Sequence, residues 1–148
     1  MHAWLEAFLD EAEKAGGAIA RETAHRIIEG AEGLGLDPKR QAPHPDKGGA
    51  VAFVIRGIST WPDATPVILL ARGRVAWQVA ELRHHNPFRI AAMEQQLRER
   101  IAVFPTTALH KPDWPDTQIS DLATDEGLRE FLETLGWVVE RIRNTNPN

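Results

Sequence analysis

The sequence predicts one α+β domain spanning residues 1–148, a mostly antiparallel sheet of four to five strands with flanking helices, ordered α-β-β-β-α-β-(β)-α. Three observations carry that expectation. Apolar residues recur at helical spacing near both ends, and in alternation or unbroken runs between residues 50 and 82. Arg72-Gly73 separates two of those runs as a hairpin turn does. The 148 residues match the usual length of one domain, long enough to bury a core without a staple.

The N-terminal helical segment covers residues 1–32. Trp4, Phe8, Ala12, Ala15, Ile19 and Ile27 fall on one helical face, with Thr23 the only polar member of the series. Gly16-Gly17 interrupts this run and predicts a kink or two helices. Residues 33–49 are rich in proline and glycine and predict a loop. Ala50–Arg56 is a strand whose two faces are both apolar, and Gly57–Thr65 is a turn. Pro66–Ala71 then suits a central strand, and Arg74–Leu82 its hairpin partner.

Asn86-Pro87 has the residue types of a helix start, and Ile90, Met93, Leu97 and Ile101 continue at helical spacing. Short strands are expected at Ala102–Thr106 and Gln118–Leu122, on either side of Pro105, Pro112 and Pro115. Thr124, Asp125 and Glu126 open a last helix. There Leu128, Phe131, Leu132, Leu135, Val138, Val139 and Ile142 point inward. Residues 143–148 form a polar tail expected to fray. Neither an internal repeat nor a low-complexity segment is present.

Composition narrows the function classes. With 43% hydrophobic and 26% charged residues the chain is globular rather than disordered. It has no cysteine, which excludes a disulfide scaffold, a thiol nucleophile and a Cys-ligated zinc site. No apolar run approaches the roughly 20 residues that span a bilayer, and the N-terminus lacks the pattern of a signal peptide. A cytoplasmic protein without a membrane partner is the expectation. The net charge of −4 gives no overall attraction to nucleic acid. Residues 56–100 nevertheless hold seven arginines against four acids, inside an otherwise acidic chain.

Four patterns bear on chemistry. His44-Pro45-Asp46 resembles the tripeptide of J-domain co-chaperones, but a strand rather than a helix follows it, and a proline–glycine turn accounts for the string. Pro62-Asp63 followed by Glu81-Leu82-Arg83 resembles the Pro-Asp…Glu-x-Lys pattern of restriction-endonuclease-like nucleases. A hairpin about Arg72-Gly73, with paired positions summing to about 145, places Asp63 opposite Leu82 and beside Glu81 and Arg83. The resemblance implies Asp63 and Glu81 as catalytic metal ligands, with Arg83 in the place of the lysine. Arginine stays protonated and cannot act as a tunable base.

The third pattern, Arg83 to Arg89 with His84 and His85 inside it, surrounds an expected helix start and suits an anionic ligand. His84, His85, His110, Asp113 and Asp116 also count among metal-ligating types, although adjacent histidines in extended chain point apart. Last, Trp61-Pro62-Asp63 and Trp114-Pro115-Asp116 place two tryptophans in loops, where such residues anchor partners. Trp77 and Trp137 belong to the core.

No convergent acid, base and nucleophile emerge. The expected function is therefore a non-catalytic binding or accessory module, without a cofactor, recognising another protein. Its contact surface comprises Trp61, Arg83, His84, His85, Arg89 and Trp114. A metal-dependent phosphodiesterase using Asp63 and Glu81 is the alternative, as is nucleic-acid or anion binding through the arginine-rich middle segment. Amphipathic helices at both ends are compatible with a homodimer.

Overall fold

The computed structural model describes residues 1–44, 48–58 and 63–146, and it shows the expected α+β architecture. Helix α1 (Ala3–Gly33) opens the chain. Gly17 has φ 82° and ψ −172°, so the helix breaks there. Arg21, just past the break, reaches back to Asp10 at 2.6 Å and Glu6 at 3.1 Å. In a straight helix residues 6 and 21 would stand about 22 Å apart. The two halves of α1 therefore fold back on each other.

Leu5, Phe8, Leu9 and Ala12 of the first half enter the same core as Ala24, Ile27 and Ile28 of the second. Ala15 and Ile19, expected on the inner face, are exposed instead. The corner at Gly17 resets the helical phase, so one stripe cannot run through both halves.

Five strands follow as an antiparallel meander, β1 (Leu36–His44), β2 (Gly48–Ile55), β3 (Val67–Leu70), β4 (Arg74–Trp77) and β5 (Asp116–Gln118), adjacent in that order. Strand β1 corrects the loop expected over residues 33–49. Its prolines, which suggested irregular chain, are tolerated because β1 is an edge strand and needs donors on one side only. The central hairpin is as expected, but Leu70 pairs with Arg74 and Val67 with Trp77, so paired positions sum to 144. Gly73, at φ 92°, closes its three-residue turn.

Strand β4 ends at Trp77 rather than running to Leu82. The Gln78 amide still donates to the Pro66 carbonyl at 2.8 Å, but proline has no N–H to return, and the ladder stops. A one-turn helix, α2 (Val79–Leu82), takes over. Its Val79 and Leu82 are buried, a spacing of three that puts both on one helical face.

Helix α3 (Ala91–Ile101) begins after Ile90, not at Asn86-Pro87. Phe88 is the reason, because its buried ring meets Trp137 edge-on at 5.8 Å and holds residues 86–89 in a turn. The Asn86–Pro87 peptide bond is cis. Residues 102–106 are turns rather than a strand, organised around buried Phe104. Strand β5 lies at 116–118, and Ile119–Leu122 forms a 3-10 turn where the strand was expected.

Helix α4 (Asp125–Thr145) is capped by Thr124, whose hydroxyl accepts from the Gly127 amide at 3.0 Å. The predicted stripe from Leu128 to Ile142 is buried, with Leu132 at its margin. The C-terminal end does not fray at 143. Arg143 donates to the Gly35 carbonyl at 3.1 Å, and the Asn146 amide reaches the Asn86 carbonyl at 2.8 Å.

Both α1 and α4 join the sheet face formed by Val51, Phe53, Val67, Leu69, Val75 and Trp77 in one core. A separate small cluster, Ala50, Leu70 and Ala76, marks the opposite face. Among the described residues, no helix is long and apolar enough to cross a membrane.

Candidate functional site

Most of the candidate residues meet at one corner, where α2, the turn after it, α3 and the loop of residues 102–115 converge. Arg83 organises it. Its guanidinium donates to Glu94 at the start of α3 (2.5 Å) and to Asp113 in the loop (2.7 Å). One turn along α3, Arg98 donates to the same Glu94 at 3.1 Å and to the Pro112 carbonyl. Hydrogen bonding with Arg83, more than that with Arg98, holds the Glu94 carboxyl below the usual carboxylate range. The same contacts raise Arg83 above its ordinary value, Glu94 contributing most and Asp113 next. Arg83 is therefore a clamp between helix and loop, not a free cation awaiting an anion.

The clamp presents Trp114. Its neighbours Pro112 and Asp113 are each tied to an arginine, while the indole itself is 51% exposed. Leu109, earlier in the same loop, is also largely exposed. Arg89, itself exposed, donates twice to the His84 carbonyl (2.8 and 3.1 Å), and the His84 side chain stays in solvent. Of the residues expected to form a contact surface, Trp114, His84 and Arg89 lie outward. Trp61 lies outside the described residues, as do residues 45–47 of the string resembling the J-domain tripeptide.

His85 corrects the expectation of an open histidine pair. It is 3% exposed, its ring hydrogen-bonds the Asp63 backbone, and its Nε2 has no hydrogen-bond partner among the described residues. Burial first, then the nearby His84 and Arg89, push its pKa below the ordinary value. A proton taken up by the unfolded chain near pH 6.5 is thus refused by the folded one. Stability supplied by His85 is complete above pH 6.5 and is lost as pH falls toward its depressed folded value, at up to about 1.4 kcal/mol per pH unit. Urea melts between pH 7.5 and 5 should show that decline in the wild type and a shallower one in His85→Leu. Parallel curves would show that His85 is not the group responsible.

The acid pair does not form across the hairpin as expected. Because β4 stops at Trp77, Glu81 lies on helix α2, and the ladder does not extend to Asp63. Asp63 is exposed, Glu81 half-buried, and the Asp63 backbone meets His85 rather than a strand partner. Among the described residues, no three histidine, aspartate or glutamate side chains gather where they could hold a metal ion.

The arginine-rich middle is likewise dispersed. Arg56 pairs with Asp37, Arg74 with Asp116, and Arg100 stacks 4.4 Å above Trp137. These positions belong to different elements and do not form one basic stripe. Asp116 explains part of the signal that sequence reading missed. Its side chain is almost fully buried between Arg74 and Lys111, each at 3.0 Å, although its spacing resembles that of an exposed loop acid.

No protein-family model, curated protein or solved structure matches this chain. The geometry of the corner and of the surrounding surface is what a functional reading rests on.

Proposed function

We propose that this chain is a non-catalytic binding module that acts in the cytoplasm by docking on another protein through the Trp114 corner. The supporting observation is a half-exposed tryptophan held on a loop that two arginines fasten to α3. An exposed aromatic on a mobile loop would lose conformational freedom on binding. One already held in place keeps more of its burial energy as affinity, which is why tryptophan anchors dominate many interfaces. His84 and Arg89 add polar groups at the rim. Arg83 serves as the positioning residue.

Trp114→Ala should reduce partner capture about 30-fold, the effect of losing a roughly 2 kcal/mol anchor. Its melting temperature should remain within a few degrees of the wild type, since the side chain is half in water. Quantitative pull-down beside thermal melts makes the comparison. Undiminished capture by a folded Trp114→Ala protein would refute this reading. Collapse of the fold would assign the indole to the core instead.

A further inference from the structure

From a buried position, His85 joins the turn of residues 83–89 to Asp63 in the connection between β2 and β3. One ring nitrogen donates to the Asp63 backbone. The other, Nε2, is buried and meets no hydrogen-bond partner among the described residues. The site therefore suits a neutral imidazole, with one nitrogen donating and the other bare. A second proton would create a cation whose new N–H points at no acceptor. An unpaired buried charge is disfavoured more strongly than an unpaired neutral group.

The surroundings add to that resistance. His84 and then Arg89, on the same turn, oppose the second proton, while Asp63, on the connection, favours it. Asp63 is exposed, so solvent screens its charge. Residues 57–62 carry no ionisable side chain, and α2, α3 and α4 supply none of the leading influences on the ring.

What the ring fastens is a small unit. The His85 amide donates to the Leu82 carbonyl at 3.0 Å, and its carbonyl accepts from the Phe88 amide at 2.8 Å. Arg89 closes onto the His84 carbonyl, and Asn146 holds that of Asn86. None of these bonds belongs to the sheet, so the turn can open while the strand ladders stay paired.

We propose that His85 is an acid-operated latch, in which a proton on Nε2 releases the 83–89 turn from Asp63 and opens it while the sheet remains folded. The turn begins at Arg83, so opening also loosens the clamp on Glu94 and Asp113. The latch goes beyond the docking reading and holds without it.

Amide hydrogen exchange of the full chain, followed by NMR from pH 7.5 to 5 and corrected for the intrinsic rate, tests this. The His85 and Phe88 amides should exchange faster than those of Val51 and Leu69 in the central sheet. Their opening equilibrium should rise below pH 6.5 by up to about tenfold per pH unit, as when the open form alone takes up one proton. His85→Gln, which keeps a neutral donor, should abolish that rise. In the wild type the His85 ring signal should titrate below pH 6.5.

Turn and sheet amides exchanging at one common rate would overturn the latch, since His85 would then be released with the whole fold. So would turn opening that is indifferent to pH, or a rise that persists in His85→Gln. Should that variant fail to fold, the ring signal decides. Titration at or above pH 6.5 would mean that the closed turn accepts the proton, and the latch would be overturned.

Discussion

Trp77→Ala is expected to cost about 3–5 kcal/mol, the usual loss when a large aromatic leaves a packed core. At this chain length a drop of roughly 6–20 °C in melting temperature should follow. The side chain is fully buried, and its ring meets Phe131 at 5.3 Å. Its indole N–H donates to Thr117 on β5 at 3.2 Å, and the Thr117 hydroxyl is 2.7 Å from that of Thr107. One residue therefore links β4, β5, the loop that precedes β5 and helix α4.

Trp77→Phe separates the contributions. It keeps the contact with Phe131 but removes the donor, and Thr117 still has Thr107 as a partner. About 0.5–1.5 kcal/mol beyond the lost ring volume is expected from the missing hydrogen bond, measurable by urea unfolding of Trp77→Phe and Thr117→Val singly and together. A loss below about 1 kcal/mol for Trp77→Ala would mean that the hairpin is not packed on α4 as described.

The second large effect is backbone strain at the α1 corner. Gly17→Ala should destabilise the protein by about 1–3 kcal/mol, because φ 82° with ψ −172° is open to glycine alone. Nothing lies within 4 Å of an added Cβ, so steric crowding does not contribute. Gly33→Ala supplies the control. Gly33 also has open space around it, but its backbone is ordinary, and there alanine should be neutral or stabilise by up to about 1 kcal/mol. Equal melts for the two variants would mean that α1 has no sharp corner.

Patterns that depend on neighbours in sequence were legible without coordinates. The helix break at Gly16-Gly17, the cap at Thr124 and the stripe from Leu128 to Ile142 each follow from local spacing, and the structure has all three. The hairpin about Gly73 was legible for the same reason. Strand β1 was not, because its prolines are penalised in a strand unless the strand is known to lie at an edge. Helix α2 was missed because Val75, Trp77 and Val79 alternate as a strand does, and only the position of Pro66 across the ladder shows where pairing ends.

The candidate site divides along the same line. Exposed Trp114 could be suspected from its place beside Pro115 in a loop. The roles of Arg83 and His85 could not. One is set by Glu94 and Asp113, respectively 11 and 30 residues away, and the other by the backbone of Asp63 and the burial of its ring.

By itself, then, the sequence determined the α+β class, the central hairpin and the amphipathic last helix, because hydrophobic periodicity and turn chemistry act between residues close along the chain. Only the tertiary structure decided which strands are edges, which charges neutralise one another, and which apolar side chains stay in water. Burial and ion pairing depend on residues distant in sequence, and their partners are chosen when the elements pack.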